Sequence, residues 1–264
     1  MRYACIGSGS SGNAAVFEHD GRAFLLDCGL TIKETERRLG VLGLDPACLE
    51  AIVVTHEHGD HLSGVAPFAR RHHLPVWMTR GTWRRARDRR IHDLRLYRAG
   101  ETLEIGPFSL SPFAVPHDAA EACQFRIQCA SQSMAVLTDL GMITPHIVEC
   151  VDGVSSLVLE CNHDEQMLSD GPYPPSLQAR VAGNYGHLSN RQAAGLLERI
   201  DADRLERVFL AHLSERNNTA TLARACVAAV MSDGDARLTV LSAEECGEWM
   251  EPGAYPSAAA SLSS

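Results

Sequence analysis

The segment Ala51-Ile52-Val53-Val54-Thr55-His56-Glu57-His58-Gly59-Asp60-His61 places three histidines and two carboxylates directly after a short apolar run. The apolar run predicts a buried strand. Three neighbouring imidazoles would be costly to bury without partners, whereas a divalent metal makes neutral imidazoles favourable ligands. The segment therefore predicts a metal site at the end of a strand, with His56, His58, Asp60 and His61 as its ligands.

Short runs with β-type composition dominate the rest of the pattern and are separated by glycine, aspartate and histidine. We predict strands over residues 3–6, 14–18, 23–26, 51–55, 108–115, 124–129, 134–138, 157–160, 208–211 and 238–241. Helical spacing predicts helices over 31–39 and 62–71, a helical piece after Arg80, and a helix that begins at Ser189 or Asn190. Strands interleaved with helices indicate an α/β or α+β class.

The stretch Gly7-Ser8-Gly9-Ser10-Ser11-Gly12 matches the pattern GxGxxG, and Asp27 follows at the spacing of a ribose-binding acid. A dinucleotide site also requires a helix to open at the last glycine. Residues 13–21 instead read as a strand that runs into a turn. We therefore interpret the stretch as a loop whose backbone N–H groups border an anionic substrate, with Ser10 and Asn13 as candidate contacts.

Composition and charge limit the function classes. The net charge of −9 argues against a protein that coats nucleic acid by bulk electrostatics, yet residues 80–90 hold six arginines against one aspartate. This piece could bind a nucleic-acid backbone, but a solvated helix face is the interpretation that the pattern favours. Nine cysteines without a CxxC pair indicate neither a disulfide framework nor a zinc ribbon.

Nothing in the pattern indicates a membrane span of roughly 20 apolar residues or a secretory signal. We expect a soluble cytoplasmic protein. We also expect one domain over residues 1–250, followed by a flexible tail over 251–264 that is rich in alanine, serine and proline.

The HxHxDH segment resembles the signature of the metallo-β-lactamase superfamily, and the resemblance extends over roughly residues 1–245. It implies a four-layer αββα sandwich, in which helices flank two mixed β-sheets. It also implies three downstream ligands, each at the end of a β-type run, namely His117, Asp139 and His212. One ion would bind His56, His58 and His117, the other would bind Asp60, His61 and His212, and Asp139 would bridge them. Asp27 would support the ligand loop.

Further motifs resemble the phosphodiesterase branch of this superfamily, which includes tRNase Z and the WalJ-type exonucleases. These motifs are Ser8–Asn13, His117-Asp118, Asn162-His163-Asp164, Gly186–Asn190 and Asn217-Asn218. The long tRNA-gripping insertion of tRNase Z is not evident, and its His-Glu-Ala-Thr motif is replaced by Glu160-Cys161-Asn162-His163.

The resemblance implies a dinuclear hydrolase in which Asp60 orients the attacking water and His187 binds the phosphate or protonates the leaving oxygen. We expect zinc, with manganese or iron as alternatives. The expected substrate is DNA rather than RNA, or a small phosphodiester. Further candidate contacts are His163, Ser214 and Asn217.

Other functions remain open at this point. One is hydrolysis of a small thioester or lactam, and others are a di-iron oxidoreductase and a silent binding module.

Overall fold

The computed structural model describes residues 1–9, 12–241 and 246–251. Its strands are β1 (Arg2–Gly7), β2 (Ala14–His19), β3 (Arg22–Leu26), β4 (Leu49–Val53), β5 (Val76–Thr79), β6 (Leu94–Tyr97), β7 (Leu103–Ile105), β8 (Phe108–Ala114), β9 (Cys123–Cys129), β10 (Gln132–Leu137), β11 (Ser156–Glu160), β12 (Arg207–Ala211) and β13 (Leu238–Val240). Its helices are α1 (Ile32–Val41), α2 (Gly59–Leu62), α3 (Val65–His72), α4 (Arg80–Arg85), α5 (Pro145–Val151), α6 (Glu165–Asp170), α7 (Pro175–Val181), α8 (Asn190–Leu197) and α9 (Ala220–Ala228).

In the described part of the chain the strands form two sheets. The first has the order β1-β2-β3-β4-β5-β6, and the second has the order β13-β12-β11-β10-β9-β8-β7. Each sheet is mixed in the same way, because its first strands pair antiparallel and its later ones parallel. The change from antiparallel to parallel pairing occurs at β3 in the first sheet and at β10 in the second.

The core divides into three apolar layers. Strand β3 shows why, since its alternate residues Phe24 and Leu26 pack between the two sheets, while Ala23 and Leu25 pack toward helices. In the middle layer, Phe24 of the first sheet meets Phe108 of the second edge to face, with ring centroids 5.0 Å apart. The outer layers are closed by α1 and α3 on the first sheet and by α5, α8 and α9 on the second. This arrangement confirms the predicted four-layer αββα sandwich.

Several local predictions are also confirmed. The chain enters β2 at Ala14 rather than a helix, so the glycine stretch does not form a dinucleotide-binding loop. Ser189 caps α8 in a capping box with Gln192. The predicted helix over 62–71 is wrong in its bounds, because Gly64 separates α2 from α3.

Strands β5, β6 and β7 were missed by the sequence pattern. They have three or four residues each, too few for an alternation to be recognised. Among the residues that the structure describes, no helix is both long enough and apolar enough to span a membrane. The single domain over 1–250 and the cytoplasmic location stay predictions. The predicted tail over 251–264 lies outside the described residues except for Glu251.

Candidate metal centre

One edge of the sandwich collects most of the predicted site residues. Strands β3 and β4 of the first sheet and β8, β10, β11 and β12 of the second all run toward it, so their carboxyl ends meet there. The loops that follow these strands supply histidine and aspartate side chains from both halves of the chain. They carry Asp27, His56, His58, Asp60, His61, His117, Asp139 and His212.

Three of these residues adopt the left-handed backbone conformation, which residues other than glycine rarely take. Asp27, Asp139 and His212 have φ angles of 61°, 57° and 58°. Each lies one or two residues beyond the end of a strand, where the left-handed turn stops the extended chain. Such a residue costs roughly 1–3 kcal/mol, and strain of this kind concentrates at functional sites.

The first cluster consists of His56, His58 and His117, whose ligand atoms all lie within 4.8 Å of one another. His117 Nε2 is 3.2 Å from His58 Nδ1, a spacing at which two ring nitrogens can share one ion. The far nitrogens are held from behind, His56 Nδ1 by Thr55 Oγ1 at 2.9 Å and His117 Nδ1 by the Gly186 carbonyl at 3.2 Å. These contacts fix the ring orientations and leave the inner nitrogens available.

The second cluster consists of Asp60, His61 and His212, again with ligand atoms within 4.8 Å of one another. His61 Nδ1 donates to Asp27 Oδ2 at 2.8 Å, which leaves His61 Nε2 directed into the cluster. Asn13 Nδ2 donates to Asp60 Oδ2 at 2.9 Å and so holds this carboxylate beside the histidine. Asp27 therefore occupies the supporting position that the resemblance implies, whereas Asn13, a candidate for either a supporting or a substrate contact, holds Asp60.

Asp139 lies between the two clusters. Its carboxylate oxygens are 3.2 Å from His61 Nε2, 3.6 Å from His212 Nε2 and 4.0 Å from His117 Nε2. Asp139 Oδ2 and His56 Nε2 are buried without a hydrogen-bond partner. Buried polar atoms without partners are costly, and a cation bound among them would satisfy both. Together with a donor set of imidazoles and carboxylates, this shows that the residues fit divalent metal ions.

The surroundings of His56 and Asp139 lower the pKa of both side chains, for different reasons. Burial, together with the neighbouring histidines, holds the pKa of His56 well below its usual value, so its imidazole is neutral. Burial opposes the charged form of Asp139, but His212 and His61 outweigh it and hold its pKa well below the usual value. A neutral imidazole and an ionised carboxylate are the forms that bind metal.

Comparison with known proteins agrees with this geometry. A family model described as the beta-lactamase superfamily domain matches residues 22–213. The chain belongs to the metallo-β-lactamase superfamily. It is 32% identical over 238 residues to the exodeoxyribonuclease YycJ of Bacillus anthracis, which covers 88% of this chain and 90% of the relative. It is 30% identical over 241 residues to the exodeoxyribonuclease WalJ of Streptococcus pneumoniae serotype 2, with coverages of 89% and 90%.

The same fold is seen in the crystal structure of the metallo-β-lactamase fold protein YhfI of Bacillus subtilis. The two structures superpose with a TM-score of 0.73 at 15% sequence identity, covering 95% of this chain and 99% of the other. At this identity the likeness supports the fold alone.

Glu160 belongs to the site but was not among the site residues predicted from the sequence. It is fully buried at the end of β11 and accepts four N–H groups. Its Oε1 accepts from His187 Nδ1 at 2.8 Å and His212 Nδ1 at 2.7 Å, and its Oε2 accepts from the backbone of Leu140 and Leu188 at 3.2 Å each. One carboxylate thus orients a predicted ligand and a predicted catalytic histidine. A carboxylate in the apolar run 157–161 was the available signal.

A cavity of about 560 Å³ opens in front of the clusters. The wall of this cavity includes His58, Asp60, Asp139, His187 and His212. Ser214, a candidate substrate contact, also lines it, and so do Tyr173 and residues of α7.

The mouth of this cavity carries a charged pair. Arg180 Nε donates to Asp118 Oδ2 at 2.8 Å, and Asp118 Oδ1 lies 3.5 Å from His58 Nε2. The sequence predicted no separate role for Asp118, but the structure places it beside His58, a predicted metal ligand. Arg180 is exposed and lines the cavity.

Two predicted substrate contacts, His163 and Asn217, are not among the residues that line the cavity. His163 is 2% exposed and Asn217 is fully buried. The side-chain amide of Asn217 donates to Ser214 Oγ, and the backbone carbonyl of Asn217 accepts from the backbone N–H of Asp164. Both hydrogen bonds stabilise the loop after β12. Ser10 lies outside the described residues.

Proposed function

We propose that this chain is a metal-dependent exodeoxyribonuclease that holds two divalent ions, with zinc as the first candidate and manganese or iron as alternatives. The observation that carries the proposal is a complete set of seven donors around one cavity, in a chain whose relatives of matching length are exodeoxyribonucleases. DNA is the proposed substrate ahead of RNA or a small phosphodiester.

Each donor has a proposed place in this site. His56, His58 and His117 would hold one ion, Asp60, His61 and His212 the other, and Asp139, which lies between the clusters, would contact both. Two such ions lower the pKa of a water molecule and neutralise charge on the phosphate. Within the protein, Asn13 holds Asp60 in place, so that Asp60 can orient the attacking water.

We assign proton donation to His187. Its Nδ1 is bound to Glu160, so Nε2 is free to face a substrate in the cavity that His187 lines. Burial opposes its charged form, but Glu160 outweighs burial and raises the pKa of His187 to about 9 in the metal-free protein. A protonated imidazole at neutral pH suits the transfer of a proton to the leaving oxygen.

The cavity wall supports a nucleotide as the bound unit. Tyr173, Leu177 and Val181 offer apolar surface for a base, while Arg180 and Arg216 bring guanidinium groups to the same cavity. Apolar surface beside charged groups matches the chemistry of a base next to its phosphate. A cavity of this size suits the end of a strand better than a continuous duplex.

The test compares substrates after the protein has been stripped of metal and reloaded with zinc or manganese. The substrates are end-labelled linear DNA, closed circular DNA, RNA of the same sequence and a thioester. Metal-dependent loss of the linear DNA from its end, with the circle left intact, is the expected result. Cleavage of the circle would contradict the exonuclease assignment, and turnover of the thioester alone would contradict the phosphodiester chemistry.

Two variants separate binding from chemistry in the same assay. His58→Ala is expected to lose one ion and all hydrolysis, as measured by metal content and turnover. His187→Ala is expected to retain both ions and lose turnover by about 10²–10⁴-fold, the usual contribution of a positioned acid. Full activity in either variant would contradict the role assigned to that residue.

A further inference from the structure

The segment of residues 80–90, here called the arginine segment, is the strongest local departure from the acidic character of the chain. It holds six arginines against one aspartate, in a protein with a net charge of −9. Helix α4 and the loop after it form this segment. Its exposed arginines for which the described residues offer no acidic or hydrogen-bonding side-chain partner are Arg80, Arg84, Arg85 and Arg87.

The other charges of the arginine segment are fixed in place. Asp88 accepts from Arg90 at 2.9 Å and from Arg70 of α3 at 3.0 Å. The guanidinium of Arg89 lies over the ring of Trp83 at 5.6 Å from its centroid. These contacts anchor the segment to the first sheet and its helix layer. The backbone that carries Arg80, Arg84, Arg85 and Arg87 is therefore fixed in position.

The arginine segment begins beside the metal loop. Strand β5, which leads into α4, pairs in parallel with β4, which leads into the histidine loop, so both end at the same edge. The Gly81 N–H donates to Glu121 Oε2 at 2.6 Å, and the neighbouring Ala120 N–H donates to Glu57 Oε1 at 2.8 Å. Glu57 stands between His56 and His58. Two hydrogen bonds therefore connect the start of the segment to the predicted ligands.

Unpaired like charges on one short segment repel one another, and an anionic partner removes that repulsion. A phosphate backbone is the anion whose spacing and geometry guanidinium groups bind best, often through two parallel hydrogen bonds. A polyanion approaching an otherwise acidic protein is also drawn to the basic part of its surface. The segment follows β5, which ends at the same edge of the sheet as the histidine loop, so a DNA strand that leaves the metal centre along this edge would meet these arginines.

We propose that Arg80, Arg84, Arg85 and Arg87 bind the phosphate backbone of the DNA that extends beyond the nucleotide in the cavity. This inference rests on the proposed nuclease function and adds the surface that holds the rest of the substrate. It requires that replacing these arginines weakens the binding of long DNA. The turnover of a substrate small enough to fit in the cavity alone should not change.

The experiment uses the full chain with Arg84→Gln and Arg85→Gln combined. The matched control combines Arg199→Gln and Arg207→Gln, which removes the same charge. Arg207 begins β12, whose other end leads to His212, so it lies away from the metal edge, and Arg199 follows the carboxyl end of α8, where it donates to the Ile143 carbonyl at 3.3 Å. A third protein combines Arg84→Lys and Arg85→Lys, which keeps the charge.

Binding of labelled DNA of about 20 nucleotides to chelator-treated protein is measured over a series of salt concentrations, where each lost phosphate contact flattens the slope by about 0.9. The glutamine pair is expected to weaken binding about tenfold or more at moderate salt and to flatten the slope by about 2. The control pair should match wild type, and the lysine pair should recover most of the affinity. Zinc-loaded protein should hydrolyse bis(4-nitrophenyl) phosphate equally well in all four forms, which also shows that each is folded.

The outcomes separate the two proposals. If wild type degrades DNA and the glutamine pair has the same salt slope as the control pair, the arginine surface is refuted while the nuclease function stands. If both pairs lose affinity equally, the effect is general charge and the surface is again refuted. If wild type fails to degrade DNA but the slopes differ as expected, the nuclease function fails and the binding surface stands.

Discussion

Replacing Glu160 with glutamine probes the most heavily used side chain of the site. All four groups that meet this carboxylate are donors, two imidazole N–H groups from His187 and His212 and two backbone N–H groups from Leu140 and Leu188. A glutamine offers one acceptor oxygen and one NH₂ group. With its NH₂ group toward Leu140 and Leu188, glutamine leaves both backbone donors unsatisfied; with the NH₂ group toward the imidazoles, both rings must give up their Nδ1 proton and His187 its positive charge. At about 1–3 kcal/mol for each unsatisfied donor, the first orientation loses about 4 kcal/mol of unfolding free energy, and the second loses the charged contact of His187.

Urea unfolding of the metal-free protein measures this loss directly. Glu165→Gln is the matched control, because the Glu165 side chain is 46% exposed and pairs with Arg191, so its loss is expected to be under about 1 kcal/mol. Zinc titration of the same proteins should show a 10–100-fold weaker site in Glu160→Gln, since His212 loses the contact that orients it. A loss under about 1 kcal/mol with unchanged zinc affinity would refute the four-donor reading of Glu160.

The same variant predicts a change in pH dependence. Burial lowers the pKa of the His187 imidazole, but Glu160, with smaller contributions from Asp139 and Asp118, raises the folded-state pKa from 6.5 to about 9, so the stabilisation is complete below pH 6.5 and is lost as the pH rises through 9. Because Glu160 is the largest of the groups that raise this pKa, the difference in unfolding free energy between wild type and Glu160→Gln should shrink over this interval, by up to about 3 kcal/mol. A difference that stays constant from pH 6 to pH 9.5 would contradict the ion pair in the metal-free protein.

Other perturbations of the site follow from its contacts. In Gly29→Ala the new Cβ would lie 1.6 Å from the Asp60 carbonyl oxygen, so we expect a loss of at least about 3 kcal/mol in urea unfolding, whereas Gly40→Ala, with open space inside α1, should gain about 0.5–1 kcal/mol. Asp27→Asn removes the carboxylate that holds His61 and should weaken zinc binding 10–100-fold by titration calorimetry while the fold is retained. Removal of metal by a chelator should lower the thermal midpoint, because an ion at a hundredfold excess over its Kd contributes about 2.7 kcal/mol; an unchanged midpoint would mean that no ion binds the folded state.

The ligand set was predictable for two physical reasons. Four donors are adjacent in sequence, so their density alone indicates metal. The others, His117, Asp139 and His212, each follow a β-type run, and parallel strands deliver their ends to a common edge. The structure brings all seven donors together, and their role as ligands stays a proposal.

The misses came from side-chain direction and element length. Glu160 was noted only as part of the sequence that replaces the His-Glu-Ala-Thr motif, and no role was predicted for it. A carboxylate at the end of an apolar strand, however, needs hydrogen-bond donors if it is buried. Asn217 and His163 lie in motifs next to site residues, but the sequence does not show which neighbour in a loop turns inward. Strand β6 (Leu94–Tyr97) was missed because it has only four residues and their burial does not alternate.

The two sheets share a plan that the sequence conceals. Each begins with antiparallel strands and continues with parallel ones, and the site forms where the two sets of carboxyl ends meet. The first sheet supplies the donors of the 56–61 loop, and the second supplies His117, Asp139 and His212. Neither sheet carries a full set for either proposed ion, because each cluster contains residues from both. The site therefore exists only when the Phe24–Phe108 layer has packed, which makes correct docking of the two sheets a condition for binding metal.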